Sequence, residues 1–332
     1  MTRAGYVVAA LLVLAGILLP TDTAIEFLRG VPVVQLEAGL RDQLQTGIVI
    51  FRACLVLLGV ATIIITSLPG WRSPGTTVSP ATRRTHATLP LAILIIAVIA
   101  TAIRFYALDA GLWVDEIMTY VNYANQPFGV LASTYDSQNH HILYSLFTHA
   151  AFLIFGEGAW SLRLPAVLFG VGSILALYVF AREFVTRREA VLSSALLAFS
   201  YHHVWFSQNA RGYTALLFFS LLSSWMLVRA LREQRLQLWL WYALFAALGV
   251  YVHMTMLFMV IGHFLIFLWY RFTTGTTHWR DASGEFLAGF CMAGLMTLTL
   301  YALVLPQLLG GTYLEGVETT IESWTNPVWT AL

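Results

Sequence analysis

The sequence predicts an all-α membrane protein, a bundle of helices that crosses the bilayer several times. Hydrophobic residues make up 58% of the 332-residue chain and charged residues only 11%, whereas charged residues are about a quarter of an ordinary soluble domain. The mean hydropathy is +0.74, and several apolar stretches reach the roughly 20 residues that a helix needs to cross a bilayer. The net charge of +1 gives no indication of nucleic-acid binding.

Nine apolar segments are the predicted spans, and the arginines between them predict the orientation. Arginine clusters such as that at residues 182–188 recur in alternate loops, and cytoplasmic loops collect arginine. The N-terminus is therefore expected inside, and residue 306 outside. The first segment also resembles the apolar core of a signal peptide, but the missing small-residue cleavage site favours a retained helix. The predicted spans are residues 5–19, 48–68, 89–106, 164–182, 190–206, 213–231, 238–253, 256–271 and 286–306.

A tenth apolar segment, residues 142–156, is shorter than a span, and no basic residue follows it directly. If it crossed the membrane, the arginines at 182–188 would lie outside. We therefore expect a juxtamembrane helix in the outer leaflet, within a long external segment over residues 107–163. The predicted parts of the chain are an N-terminal hairpin with a cytoplasmic linker (1–85), a membrane core (86–310) and an external tail (311–332).

The residue types exclude two classes of chemistry. All 18 basic residues are arginine, so a Schiff base on a lysine is excluded and every fixed cation stays charged. Both cysteines, Cys54 and Cys291, lie in apolar segments. A disulfide framework or a cysteine-rich metal site is therefore not expected.

Two adjacent acids stand just after the third predicted span, Asp115 and Glu116 in the stretch GLWVDEIMTYVNYANQ. A helix start is the structural explanation, because acids in a first turn favour the positive end of the helix dipole. The tryptophan before them and the preceding apolar run place the pair near the membrane surface. The nearby stretch TYDSQNHH adds polar groups to the same external segment, so the pair is also a candidate reactive site.

A second polar group lies at the outer ends of later spans. The turn SYHHVWFSQNARGYT contains Arg211, on a side whose loops otherwise avoid arginine. Such an arginine either snorkels to lipid headgroups or binds an anionic group, since its planar fork of donors fits phosphate. His253, at another outer end, is either structural or part of the same site. Acids and histidines together leave a divalent metal as an alternative, but the spacing matches neither HExxH nor DxD.

Five motifs occur in an order that resembles the GT-C membrane glycosyltransferases. They are LWVDE, NHHILYSLFTHAAFLIFGEGAWSLRLPAVLFG, FAREFVTRREAVLSSALLAFS, FSQNARGYTALLFF and YVHM, over roughly residues 89–305. The similarity is greatest to bacterial proteins of glycosyltransferase family 39, relatives of the protein O-mannosyltransferases and of the lipid A aminoarabinose transferase. The resemblance implies a helical membrane bundle of GT-C type, in agreement with the about nine spans and the outer-leaflet juxtamembrane helix, in the first large external loop, that the apolar segments predict.

The resemblance also implies an enzyme of the plasma (inner) membrane. Such enzymes take a sugar from a polyprenyl-phosphate carrier at the external face and pass it to a lipid, glycan or protein acceptor; no nucleic acid is expected. By resemblance, Asp115 is the base and Glu116 supports it. The expected donor-binding residues are Arg211, Tyr213, His253 and Asn209, and the residues expected to contact the acceptor or to support the site are Asn139, His140, His141 and Tyr144.

The sequence departs from this family in three places. Many relatives have His-Pro-Pro-Leu-Tyr-Tyr where this chain has HHILYS at 140–145, and Glu-Ala-Arg where it has Asn-Ala-Arg at 209–211. The missing acid at 209 weakens a metal site carried over from the aminoarabinose transferase. Residues 1–85 match nothing in the family, and relatives usually continue with further spans, so a truncated or partial form is expected.

A transporter or flippase without catalysis is the alternative function. Transport pathways are marked by ionisable residues within the membrane. Here the middle positions of the predicted spans are nearly free of charge, and the polar groups gather on one face. This asymmetry favours an enzyme that acts at the membrane interface.

Overall fold

The computed structural model describes residues 2–68, 90–137, 139–274 and 279–310. All regular structure in these ranges is helical, which confirms the all-α prediction. Five helices are long and apolar enough to cross a membrane, or six if a bent pair at the N-terminus is counted as one span. The predicted count of nine spans is not confirmed. The predicted cytoplasmic linker at 69–85 and the external tail lie outside the described residues.

Sixteen α-helices lie in the described residues. In chain order they are α1 (Thr2–Leu18), α2 (Thr21–Arg29), α3 (Ala38–Ser67), α4 (Leu91–Phe105), α5 (Val114–Met118), α6 (Phe128–Ala132), α7 (Ile142–Phe155), α8 (Ala159–Ala181), α9 (Arg187–Ala198), α10 (Tyr201–Ser207), α11 (Tyr213–Glu233), α12 (Leu236–Val252), α13 (Met256–Thr274), α14 (Trp279–Phe286), α15 (Met292–Tyr301) and α16 (Leu305–Leu309). A 3₁₀ turn precedes α3 at Val33–Gln35, and π-helical turns follow α5 at Thr119–Ala124 and α14 at Leu287–Cys291.

The largest core lies between α11, α12, α13 and α15. The aromatic side chains of Trp239 and Tyr242 are fully buried there, with Phe267 and Met292 packed beside them. Aromatic side chains bury large areas, and their edge-to-face contacts, as between Trp239 and Phe267, stabilise such a core. Together these helices form a rigid frame behind the polar groups described below.

The predicted span at 190–206 is wrong as a continuous helix. It is divided into α9 and α10, because Ser200 takes an extended backbone conformation (φ −63°, ψ 124°). The fully buried Arg104 of α4 stabilises the break: its Nη2 donates to the carbonyl oxygen of Ala198 at 3.2 Å and to Nδ1 of His203 at 2.8 Å. A helix end leaves carbonyl groups without partners, and the guanidinium supplies the missing donors.

The predicted juxtamembrane helix is present as α7, which has 14 residues and packs along α8. It belongs to the apolar helices too short to count as spans, together with α4 and α12. Its depth in a bilayer remains a prediction.

The N-terminal hairpin is joined directly to the segment that carries the candidate site. Helix α2 packs on α6 so closely that a side chain at Gly129 would lie 2.2 Å from the carbonyl oxygen of Leu28. Arg29 then donates from Nη2 to the carbonyl oxygen of Ser133 at 2.8 Å. Gln307, near the other end of the described chain, donates to the same oxygen and accepts from the backbone N–H of Tyr135. Both ends of the described chain therefore hold the segment that leads to His140.

Candidate active site

The two adjacent acids have opposite environments. The side chain of Asp115 is 64% exposed, whereas Glu116 is fully buried. Glu116 is the third residue of the short helix α5, and its Oε2 accepts from the backbone N–H of Trp113 at 3.0 Å. A glutamate at this position commonly reaches back to cap the helix start. The same turn therefore directs one carboxylate inward and leaves the other at the surface.

Glu116 forms a buried ion pair with Arg163, at the start of α8. Arg163 donates from Nε to Oε1 at 2.8 Å and from Nη2 to Oε2 at 2.7 Å, the two-point geometry that makes arginine–carboxylate pairs strong. Oε1 also accepts from the backbone N–H of Ala210 at 2.7 Å. Together with the backbone N–H of Trp113, four N–H groups therefore donate to the carboxylate of Glu116. Arg163 further donates to the carbonyl oxygens of Leu108, Ala110 and Gly111.

This arrangement defines what Glu116 does. Its oxygens accept from protein donors, and it joins the acid-bearing turn, the start of α8 and the turn at 209–211. Arg211 is the only arginine in its turn, as the sequence shows, but a second arginine, Arg163, lies at the same end of the bundle. The sequence does show that Arg163 lies at the outer end of a predicted span. Its partner Glu116, however, is 47 residues away, and no local pattern connects the two residues.

Arg211 is a nearly buried cation with unused donors. Its side chain is 10% exposed, and Nη1 lies 3.2 Å from Oδ2 of Asp115. Nη2 donates to the hydroxyl of Tyr213 at 3.3 Å. Nε is buried with no hydrogen-bond partner, and Nη1 has the ion-pair contact but no bond of good geometry. Because buried polar groups are nearly always hydrogen-bonded, Arg211 is unusual in keeping donors available for a further acceptor.

A group of rings lies beside Arg211. The rings of His141 and His253 are 4.8 Å apart, and Tyr213 contacts both. Nδ1 of His141 donates to the carbonyl oxygen of Val252 at 3.1 Å, which leaves Nε2 as a buried acceptor without a partner. Gly212 has no room for a side chain, since a Cβ there would be 2.8 Å from Val252 and 3.2 Å from His141.

Both of these histidines are held neutral. Burial, with Arg211 and His253 nearby, lowers the pKa of His141 to about 3. Burial and the neighbouring Arg211 also lower the pKa of His253, whose Nδ1 accepts from the backbone N–H of Thr255. The positive charge beside Asp115 therefore belongs to Arg211 and not to an imidazolium.

The remaining predicted residues divide into two groups. Asn139 lies at the site, because its amide donates to the carbonyl oxygen of Asp115 at 3.2 Å. Asn209 is nearly buried in the adjacent turn with its side-chain oxygen unpartnered. His140 stacks on Tyr123 at 3.9 Å and donates to the backbone. Tyr144 is fully buried and donates to the carbonyl oxygen of Leu162, so it joins α7 to α8.

The donor atoms here do not fit a divalent metal. In the part of the chain that the structure describes, no three side chains of His, Cys, Asp and Glu gather closely enough to hold an ion. The lone pairs of Glu116 are occupied by four donors, and position 209 carries an amide and not a carboxylate. No reaction step is therefore assigned to a metal.

The fold and the site define a multi-pass membrane protein with an exposed acid and a buried arginine at one end of its bundle. Residues 139–300, a little under half of the chain, match the family model described as dolichyl-phosphate-mannose-protein mannosyltransferase. The acid pair precedes the matched residues, while Arg163, Arg211 and His253 lie within them.

Two relatives from Bacillus subtilis (strain 168) are also similar. The chain is 27% identical over 198 residues to "Putative mannosyltransferase YkcB" and 28% identical over 195 residues to "Putative mannosyltransferase YycA". These alignments cover 54% and 53% of this chain but only 26% and 27% of the relatives, so the chain spans about a quarter of their length. No solved structure matches the chain. The family model and these relatives confirm the resemblance to GT-C membrane glycosyltransferases.

Proposed function

We propose that the chain carries the site of a glycosyltransferase that moves a sugar from a polyprenyl-phosphate donor to a hydroxyl acceptor. The observation that carries the proposal is the exposed carboxylate of Asp115, 3.2 Å from a nearly buried Arg211 whose Nε has no partner. The mannosyltransferase family model and the two relatives, which are named for the same chemistry, support it.

The reaction needs two groups of opposite charge. A carboxylate accepts the proton of the acceptor hydroxyl while that oxygen forms a bond to the anomeric carbon. The bond from this carbon to the phosphate oxygen breaks, and the electron pair stays on the phosphate, where fixed donors stabilise the growing charge. Asp115 is the first group and Arg211 the second. One direct displacement inverts the anomeric centre.

The Asp115–Arg211 ion pair must open for this reaction. Asp115 lies against Arg211, with 3.2 Å between Oδ2 and Nη1. The donor phosphate and the carboxylate therefore compete for the same guanidinium. Donor binding therefore exchanges the carboxylate for the phosphate on Arg211, and Asp115 becomes free to accept a proton.

The proposed topology has nine crossings, with α7 in the outer leaflet and the site outside. Asp136 and Glu157 are both exposed and flank α7, so cysteines at these two positions are expected to react with an impermeant maleimide added from outside. The two native cysteines, Cys54 and Cys291, are first replaced by alanine, so that only the introduced cysteine can react. Arg188→Cys, exposed at the start of α9 in the arginine-rich region that follows α8, is the control that should react only after permeabilisation. Labelling of position 157 only from the cytoplasm would overturn this topology.

Replacement of Arg211 tests the phosphate contact. Arg211→Lys keeps the charge but loses the planar fork, so donor affinity should weaken moderately. Arg211→Ala should weaken it further, because a hydrogen bond to a charged group contributes about 1.5–3 kcal/mol. The measurement is a titration with a short-chain polyprenyl-phosphate sugar, and Arg188→Ala is the control. If Arg211→Ala leaves donor dependence unchanged, Arg211 does not bind the phosphate.

Transfer and transport are distinguished by their products. In proteoliposomes with an acceptor, the proposed enzyme releases polyprenyl phosphate and a glycosylated acceptor, both of which mass spectrometry identifies. Movement of intact donor between leaflets without either product would favour the flippase and contradict the proposal.

A further inference from the structure

Arg52 is a charged residue within the apolar part of α3, away from the candidate active site. Its Nε donates to the carbonyl oxygen of Gly16 at 3.0 Å and its Nη2 to that of Ile17 at 3.0 Å. Nη1 makes a long contact of 3.5 Å with the hydroxyl of Thr21. The first two contacts supply donors to the end of α1, where carbonyl groups lack helical partners.

The charge of Arg52 is not neutralised by these contacts. None of the ion pairs found among residues 2–68, 90–137, 139–274 and 279–310 includes Arg52. A guanidinium has five N–H donors, and three of them are directed at the two carbonyls and the hydroxyl. Two donors and a full positive charge therefore remain available.

The position of Arg52 corresponds to the depth of lipid headgroups. The apolar stretch of α3 begins near Ile48, so Arg52 lies about 6 Å into it at 1.5 Å per residue. Side chains on a helix lean toward its N-terminus, which here is the polar end of α3. At the same level the chain bends by 95° between α1 and α2. The guanidinium can thus reach the interface by snorkelling.

A groove of about 400 Å³ opens beside this guanidinium. Its other lining residues are small or apolar: Gly16, Ile17, Val49, Ala53 and Val56. Val49 and Ile17 are more than half exposed. The combination of one cation with apolar walls is complementary to a molecule that has an anionic head and a hydrocarbon tail.

We propose that the groove between α1 and α3 binds an anionic phospholipid of the bilayer, with the headgroup phosphate on Arg52 and an acyl chain along Val49 and Val56. The site is separate from the proposed sugar transfer and does not depend on it. Phosphate oxygens accept the two remaining N–H groups, and charge-assisted bonds of this kind are short and strong. The lipid would secure the N-terminal hairpin, which in turn contacts the segment leading to His140.

Native mass spectrometry of the full chain in detergent tests this proposal. The probes are phosphatidylglycerol and phosphatidylcholine with identical acyl chains. Both lipids carry the phosphate, but only phosphatidylcholine also carries a quaternary ammonium, whose positive charge is repelled by the guanidinium. Phosphatidylglycerol is therefore expected to bind roughly tenfold more tightly, and Arg52→Gln should remove that preference. The matched control is Arg41→Gln, an exposed arginine on the same helix, which should keep the preference. Equal affinity of the two lipids for the wild type would overturn the proposal.

Three further measurements test whether the lipid lies in this groove. Val49→Trp should lower phosphatidylglycerol binding, because the larger side chain fills the groove while the hydrogen bonds of Arg52 stay intact. This variant tests the groove even if Arg52→Gln does not fold. Arg211→Ala should leave this binding unchanged; a loss there would assign the lipid to the candidate active site. Displacement of the lipid by inorganic phosphate would show a site for free anions and contradict the proposal.

Discussion

Asp115→Asn is expected to abolish sugar transfer while the protein stays folded. An amide keeps the shape of the side chain but does not accept the proton of the acceptor, and loss of a general base typically reduces the rate about 10²–10⁴-fold. A modest loss of stability is expected, because the side chain of Asp115 is 64% exposed and solvent screens its charge, whereas Arg211 is only 10% exposed and would keep its charge without a carboxylate opposite it. Single-turnover rates, donor affinity and thermal unfolding of the variant measure the three effects separately.

The control for this experiment is Asp22→Asn, another exposed acid. It removes one carboxylate from the chain without touching the site, and transfer should continue at the wild-type rate. Near-normal turnover of Asp115→Asn would remove Asp115 from the mechanism. Unfolding of Asp115→Asn would likewise contradict its placement as an exposed group.

Glu116→Gln is expected to show the reverse pattern, a large loss of stability. The substitution leaves Arg163 charged inside the protein with no carboxylate opposite it. Removal of one partner of a buried ion pair typically costs about 3–5 kcal/mol. The measurement is the free energy of unfolding in detergent for Glu116→Gln, Arg163→Gln and the double variant. The double variant should lose less than the sum of the two single losses, since the partners act together.

Glu157→Gln provides the matched control, because Glu157 is an exposed carboxylate that accepts from the hydroxyl of Tyr120. Its free energy of unfolding should stay close to that of the wild type. If Glu116→Gln unfolds like the wild type and loses only catalytic rate, Glu116 contacts the reactants after all. Additive losses in the double variant would mean that Glu116 and Arg163 do not stabilise one another.

The sequence predicts the parts of the site that depend on local composition. Apolar runs indicate helices in a membrane, and the polar turns at their ends identify Asp115, Asn139 and Arg211 as one group of candidates. The reason is that a polar residue next to a long apolar run is most stable at the membrane surface, so residues of this kind are expected to lie near one another. The contact between Asp115 and Arg211, at 3.2 Å, agrees with the expectation that they share a face.

The sequence does not reveal where the apolar helices break. A hydropathy average over residues 190–206 shows one span, but Arg104 of α4 satisfies the carbonyl of Ala198 and divides the segment into α9 and α10. Hydropathy measures the mean preference of a segment for lipid. It contains no information on a donor that arrives from a different helix.

By itself, then, the sequence determined the class of protein and the end of the bundle at which its polar residues meet. Only the tertiary structure decided which of the two adjacent acids faces solvent and which is buried, because that depends on Arg163, 47 residues further along the chain. An isolated carboxylate is too costly to bury, whereas one with a two-point guanidinium partner and two backbone donors is stable inside a protein. The different roles of Asp115 and Glu116 therefore come from their partners and not from the residues themselves.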